Sequence, residues 1–216
     1  MELWLASSDL QQVERMIDYG IFAGVITNPR VVAQADRGPE DLFKALCEMA
    51  PAAWYQLRDA DLDTMAAEAQ RMLAIDPQKM RIKVPATLAG FGVISRLAAQ
   101  GLDVMATCVP TAAWLCFALA AGARRIAPYG SMLQKRGLAS KRSEVIQMQQ
   151  IIDRQAPDVT ICTGIYDVTE LPEYATAGVK SFFIWGRDVD AFLAQPLVGE
   201  ALAGFEADYR QVAEQY

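Results

Sequence analysis

Short apolar runs rich in β-branched and aromatic residues alternate with helical stretches along the whole chain, and there are eight of them. The runs are Leu3–Ser7, Gly24–Thr27, Ala53–Leu57, Arg81–Pro85, Val104–Cys108, Arg125–Tyr129, Val159–Gly164 and Ser181–Trp185. Helical segments lie between them, with start signals at Ser8-Asp9, Pro39-Glu40-Asp41, Asp61, Thr87, Thr111, Ser140 and Asp167. Such residues accept hydrogen bonds from the free N–H groups of a first turn or, for proline, fit its backbone angle. Strands that alternate with helices pair in parallel, and eight such units in 216 residues point to a closed barrel rather than an open sheet. The expected fold is a (β/α)8 TIM barrel over residues 1–196. An additional C-terminal helix is expected at 197–216, where Val198, Leu202, Phe205, Tyr209 and Val212 repeat at helical spacing.

Most runs begin apolar and close on a polar residue: Thr27-Asn28, Gln56, Lys83, Thr107, Tyr129 and Thr163. Side chains alternate faces along a strand, so Trp54 and Gln56, Met105 and Thr107, and Ala127 and Tyr129 share a face. Barrels carry their chemistry at the carboxyl ends of the strands, so these polar residues are the first candidates for a site.

Composition narrows that chemistry. The chain contains no histidine, which removes Ser-His-Asp and Cys-His catalysis and the usual zinc ligand sets. No metal or cofactor is expected, and acid–base work falls to carboxylates, Tyr, Lys, Cys or water. The net charge of −6 and the lack of any basic run longer than a pair such as Arg124-Arg125 argue against nucleic acid or an anionic membrane as partner. Cys47, Cys108, Cys116 and Cys162 have no CxxC spacing and read as reduced core thiols. With no basic leader after Met1 and no apolar run of membrane length, the expected location is the cytoplasm.

Lys83 stands inside a run expected to be buried, Met80-Arg-Ile-Lys-Val-Pro85. Lysines are almost never fully buried without a reason. Desolvation disfavours the ammonium and can bring the pKa down toward neutrality, and a neutral amine is a nucleophile toward carbonyl carbon. The competing reading is a lysine at a strand end that snorkels to the mouth or pairs with a carboxylate.

In its order and spacing of motifs the chain resembles the transaldolase family, most closely the small fructose-6-phosphate aldolase branch. The motifs are MELWLASSD, Gly24-Val-Ile-Thr-Asn-Pro29, Trp54-Tyr-Gln56, Ile82-Lys-Val-Pro85, Met105-Ala-Thr107, Ala127-Pro-Tyr129 and Phe205-Glu-Ala-Asp-Tyr209. The resemblance implies that Lys83 forms a Schiff base and that Gln56, Thr107 and Tyr129 hold a proton-shuttling water. It places Asn28 against substrate hydroxyls beside Thr27, although Asn28 also suits a helix cap ahead of Pro29. Thr163 is a further candidate contact.

Three positions depart from the family pattern. Ala6 stands where an aspartate is usual. Met132 and Gly164 stand where the aldolase branch has a phosphate-binding arginine and serine. Arg187 and Arg30 are the candidate replacement cations, with Lys135 and Arg136 behind them.

The leading expectation is a class I aldolase joining a small ketone donor to an aldehyde. The alternatives are a transaldolase-type transferase of a dihydroxyacetone unit and, in view of Ala6, Met132 and Gly164, a degenerate sugar-binding barrel. The resemblance also implies a ring-based homo-oligomer, a decamer of two pentamers, with the C-terminal helix between subunits.

Overall fold

The eight runs form eight parallel strands of one closed barrel in a computed structural model that describes residues 1–213. They are β1 (Glu2–Ala6), β2 (Gly24–Ile26), β3 (Ala53–Gln56), β4 (Met80–Pro85), β5 (Val104–Val109), β6 (Arg125–Pro128), β7 (Thr160–Ile165) and β8 (Ser181–Trp185). Each strand pairs with its neighbour in sequence. The last closes on the first in unbroken register, from Glu2 opposite Ser181 to Ala6 opposite Trp185.

The helices are α1 (Leu10–Asp18), α2 (Pro29–Val32), α3 (Pro39–Met49), α4 (Leu62–Leu73), α5 (Leu88–Ala99), α6 (Ala112–Ala120), α7 (Gly130–Lys135), α8 (Lys141–Gln155), α9 (Glu170–Thr176), α10 (Gly186–Leu193) and α11 (Pro196–Ala213). Asp9, Asp61, Thr87, Thr111 and Ser140 cap their helices through the side chain, the expected use of such residues. Asp167 acts two residues earlier than expected. Its carboxylate accepts from the Thr169 backbone and hydroxyl, and α9 starts only at Glu170.

Strand alternation divides the core in two. Leu5, Val25, Tyr55, Ile82, Val84, Ile126, Ile161 and Phe182 face outward and bury the helices' apolar stripes. Trp4, Ala6, Ile26, Trp54, Met105, Ala127 and Cys162 fill the barrel interior. At the foot of the barrel Arg125 bonds both Glu2 and Asp103 and lies over the Trp54 ring, while Trp4 donates to Ser181.

The same alternation revises two candidate contacts. Ile26 and Cys162 point inward, so Thr27 and Thr163 point out toward the helices, and both are buried. The Thr27 hydroxyl donates to the Trp54 carbonyl on the adjacent strand. The inward positions next in line are Asn28 and Gly164.

The C-terminal helix is present as α11 from Pro196 to Ala213, and residues 214–216 of the expected 197–216 segment lie outside the described residues. None of its described residues is buried, and Val198, Leu202, Phe205, Tyr209 and Val212 are all more than half exposed.

Candidate active site

The polar strand ends converge at the carboxyl mouth. Lys83 is 5% exposed on the inward face of β4, and its Nζ donates to the Thr27 backbone carbonyl at 2.7 Å. Thr27 thus serves the site through its main chain rather than its hydroxyl. Burial pushes the Lys83 pKa down to about 8; the Cys162 and Cys108 thiols act weakly in the opposite direction. Burial also raises both thiols, Cys162 to about 11, so neither carries the charge that would hold an ammonium. No carboxylate among the described residues bonds the amine. The snorkelling and ion-pair readings of Lys83 therefore lack a partner, and a useful share of neutral amine follows.

Gln56 lies opposite Lys83 in register across the β3–β4 pair, and Thr107 lies opposite Pro85 across β4–β5. Each is one strand from the lysine and on its face. Just beyond Thr107 the β5–β6 pairing slips, and Cys108 takes φ 60. A left-handed non-glycine residue there is local strain of a kind found at functional sites. Tyr129 follows β6, 41% exposed, with its N–H tied to the Val109 carbonyl. Asn28 spends its side-chain oxygen on the Val31 N–H, capping α2, and its amide nitrogen has no partner among the described residues. The cap and a substrate contact are therefore compatible.

The β7 side of the mouth is occupied by aromatic rings. A Cβ on Gly164 would lie 2.5 Å from the Phe183 ring, so a serine cannot stand there while Phe183 keeps its place. Phe183 packs edge-on against Trp185, which contacts Tyr166, and Met132 lies 40% exposed on the short α7. Behind this cluster Lys141 is buried, bonded to the Gly164 carbonyl and to both oxygens of Glu170 beneath the Tyr166 and Tyr174 rings. Sequence reasoning missed Lys141, because nothing local marks a helix-start lysine as buried.

The β8–β1–β2 side is open. A cavity of about 670 Å³ is lined there by Ala6, Arg30, Asp36, Arg37, Trp185 and Arg187 with the loop after β1. Arg30 and Arg187 are thus brought together, apart from Lys135 and Arg136 at the end of α7. Among the described residues no group of three or more Cys, Asp or Glu side chains could hold a metal ion. No helix among them is long and apolar enough to cross a membrane.

Comparison with known proteins gives the family of this (β/α)8 barrel. Residues 55–181 match the family model for Transaldolase/Fructose-6-phosphate aldolase. The chain belongs to this family.

It is thus an enzyme of the aldolase/transaldolase type. Gln56, Lys83, Thr107 and Tyr129 all fall within the matched stretch, whereas Ala6, Asn28, Arg30 and Arg187 fall outside it. Similarity to whole relatives extends further. A protein named "Probable transaldolase" from Rhodospirillum centenum is 27% identical over 217 residues, covering 99% of this chain and 93% of that one. Proteins of the same name from Agathobacter rectalis and Phenylobacterium zucineum are 24% and 26% identical, covering 98% and 99% of this chain and 99% of each relative.

Proposed function

We propose that this enzyme makes and breaks a carbon–carbon bond through a Schiff base on Lys83, acting as a class I aldolase on a small ketone and an aldehyde. The neutral Lys83 amine adds to the ketose carbonyl carbon, and loss of water gives an iminium. As the adjacent carbon–carbon bond breaks, its electron pair flows into the iminium to give an enamine. The hydroxyl proton leaves to Tyr129 or to a water held by Gln56, Thr107 and Tyr129, and the aldehyde departs. Return of a proton to the enamine carbon and hydrolysis of the iminium release the ketone and restore Lys83. The sum is ketose in, ketone and aldehyde out, with no metal or redox cofactor required. Asn28 offers its free amide nitrogen to substrate hydroxyls.

The observation that carries this reading is a buried lysine amine with, among the described residues, one carbonyl partner and no carboxylate. Borohydride reduction in the presence of dihydroxyacetone, read by intact mass, should give one adduct that Lys83→Met lacks. Wild-type protein that traps no ketone would overturn the reading.

The names of the relatives favour a second reading, transfer of the ketone unit to another aldehyde. Free ketone released without an acceptor supports the lyase, and release only into an acceptor supports the transferase. The same reading places the enzyme in the cytoplasm as a homo-oligomer, residues 1–196 forming the barrel and α11 the contact between subunits. The apolar residues of α11, each more than half exposed, support the last point, because a closed barrel leaves them no surface of its own to cover. Truncation after Gln195 should shift sedimentation to smaller species, and a full-length monomer would contradict it.

A further inference from the structure

We propose that Lys141 is a positioning residue for the proton transfer: it fixes the short helix that follows Tyr129 against the end of β7, and so sets where the Tyr129 phenol meets substrate. The inference rests on the Lys83 reading and adds to it a residue that acts through Tyr129. Lys141 is buried at the start of α8. Its Nζ donates to the Gly164 carbonyl at 2.7 Å and to the two Glu170 oxygens at 2.9 and 2.8 Å. An ammonium has three protons, so every donor is committed and none is left for a substrate.

Tyr129 has little of its own to hold it in place. It sits between β6 and α7 at φ −109 and ψ 32, its side chain caps nothing, and its phenol makes no hydrogen bond among the described residues. The helix that follows, α7, has six residues, too few to be stable alone. Its anchor is Lys141. A Cβ on Gly130 would lie 3.0 Å from the Lys141 Cα and 3.1 Å from its Cγ, so only a glycine lets the turn after Tyr129 seat this closely on the lysine stem. One turn further on, the Gln134 Oε1 accepts the Lys141 backbone N–H at 3.2 Å. The same ion pair reaches α7 from the other side. Glu170 accepts the Tyr166 N–H at 2.9 Å, and the Tyr166 hydroxyl donates to the Ser131 Oγ at 3.4 Å, with its ring centre 4.7 Å from the Lys141 Nζ.

A buried ion pair adds little net stability over an apolar pair of the same shape, because the loss of hydration offsets the attraction. This one adds direction instead. Its three bonds and packed stem join the end of β7, the start of α9 and the first turn of α7 around one ammonium. A group that exchanges protons must come within hydrogen-bond reach of the reacting hydroxyl, and a displacement of about 1 Å can cost about 100-fold in rate. Slack at Lys141 is therefore expected to show as lost turnover while imine formation on Lys83 continues.

The test compares turnover with trapping in the full-length enzyme. Lys141→Met combined with Glu170→Gln removes the three bonds without leaving a charge stranded. In that double variant kcat for addition of dihydroxyacetone to glyceraldehyde should fall about 10–100-fold per folded enzyme, while borohydride trapping of dihydroxyacetone on Lys83 stays within about twofold. Adding Tyr129→Phe should then cost no more than Tyr129→Phe alone, because a misplaced phenol and an absent one are equivalent. An ion pair with a merely structural role would give losses that multiply, or trapping that falls along with turnover, and either result overturns the inference. Gly130→Ala keeps both charges and pushes α7 off Lys141; it should reproduce the pattern, and it decides the matter if the double variant does not fold. An unchanged kcat in Gly130→Ala overturns the inference. Fluorine NMR of protein labelled with 3-fluorotyrosine reads Tyr129 without turnover. The Tyr129 resonance, assigned by its loss in Tyr129→Phe, should shift or broaden in both variants, while that of exposed Tyr19 on the far side of the barrel stays in place. Wild type that traps no ketone overturns the Lys83 reading alone, and a Tyr129 resonance unmoved by both variants overturns this inference alone.

Discussion

At the foot of the barrel Arg125 spreads its guanidinium over two carboxylates, Glu2 and Asp103, whereas near the mouth Lys83 has, among the described residues, one carbonyl and no carboxylate. Both cations sit among the same inward-facing side chains. The foot also satisfies Trp4 through Ser181, while at the mouth Cys108 is held in a left-handed conformation; among the described residues the indole N–H groups of Trp54 in the interior and of Trp185 at the mouth are both buried without a partner. A buried charge that meets its partners holds a barrel together, and one deprived of them is reactive. The foot is therefore expected to report on stability and the mouth on activity.

The largest effect expected from that division is at Lys83. Lys83→Met keeps the stem and removes the amine, so turnover should fall by at least about four orders of magnitude, the scale expected when a nucleophile is removed from a covalent mechanism. Thermal unfolding should nevertheless show a Tm unchanged or raised, because a desolvated amine is replaced by an apolar group. A variant that unfolds early would mean Lys83 is structural, and the contrast between the two ends would fail.

Next in size is Tyr129→Phe. Loss of an acid–base hydroxyl should slow turnover by about 10²–10⁴-fold. Because the amine remains, ketone trapping on Lys83 should persist, so steady-state rates and intact mass together separate the two roles. Wild-type turnover would show that Tyr129 only packs.

The foot gives the opposite pattern. Arg125→Met strands Glu2 and Asp103, and breaking a buried pair on one side costs about 3–5 kcal/mol. The side chains of Arg125, Glu2 and Asp103 are 19%, 37% and 35% exposed, so about 3 kcal/mol, the lower end, is expected here. For a chain of this size that is a fall in Tm of roughly 6–12 °C, with rate per folded enzyme preserved. A large loss of rate at unchanged Tm would reverse the assignment of the two ends.

Much of this was legible in the sequence. The eight strands fall within a residue or two of the apolar runs, because a barrel strand needs both faces apolar and so marks itself locally. Lys83 was legible for the same reason, as a charge in such a run. Thr27 and Thr163 were misplaced because each is the polar residue at or next to the end of its run, yet side-chain direction depends on parity rather than on position in the run. The pairing of Trp54 with Gln56 was read by parity, and it holds. Phe183 over Gly164, Glu170 beneath Lys141 and the grouping of Arg30 with Arg187 arise between distant segments, and no local pattern encodes them.

Gly164→Ser tests how firmly the aromatic side of the mouth is closed. The added Cβ meets Phe183 well inside contact distance, and overpacking of this kind costs about 1–3 kcal/mol. A lowered Tm that recovers when Phe183→Leu is added would tie the missing serine to that ring. A stable single variant would show that the ring moves aside freely and that the two sides of the mouth differ less than the packing implies.

The smallest expected effect is that of pH, and it sharpens the comparison most directly. Only the free amine forms an imine. With the Lys83 pKa lowered to about 8 by burial, the neutral fraction should grow roughly tenfold between pH 7 and pH 9 and level off above that. The rate of ketone trapping, sampled by borohydride quench across that range, should follow it. The linkage to stability has the same sign. Between about 8 and the ordinary lysine value of 10.5 the unfolded chain carries a proton on this lysine that the folded chain lacks, so stability gains from this group as pH rises through that window and carries the full penalty below it. Glu2 behaves oppositely. Burial pushes its carboxyl up, but Arg125 and its hydrogen bonds bring the folded value below the ordinary 4.5, so its contribution is present at neutral pH and fades as acid is added. Lys83→Met should erase the alkaline gain and leave the acid loss, and Arg125→Met should blunt the acid loss and leave the alkaline gain. A trapping profile that rises only near 10.5 would show that Lys83 is solvated like an ordinary lysine, and the distinction between foot and mouth would then have no electrostatic basis.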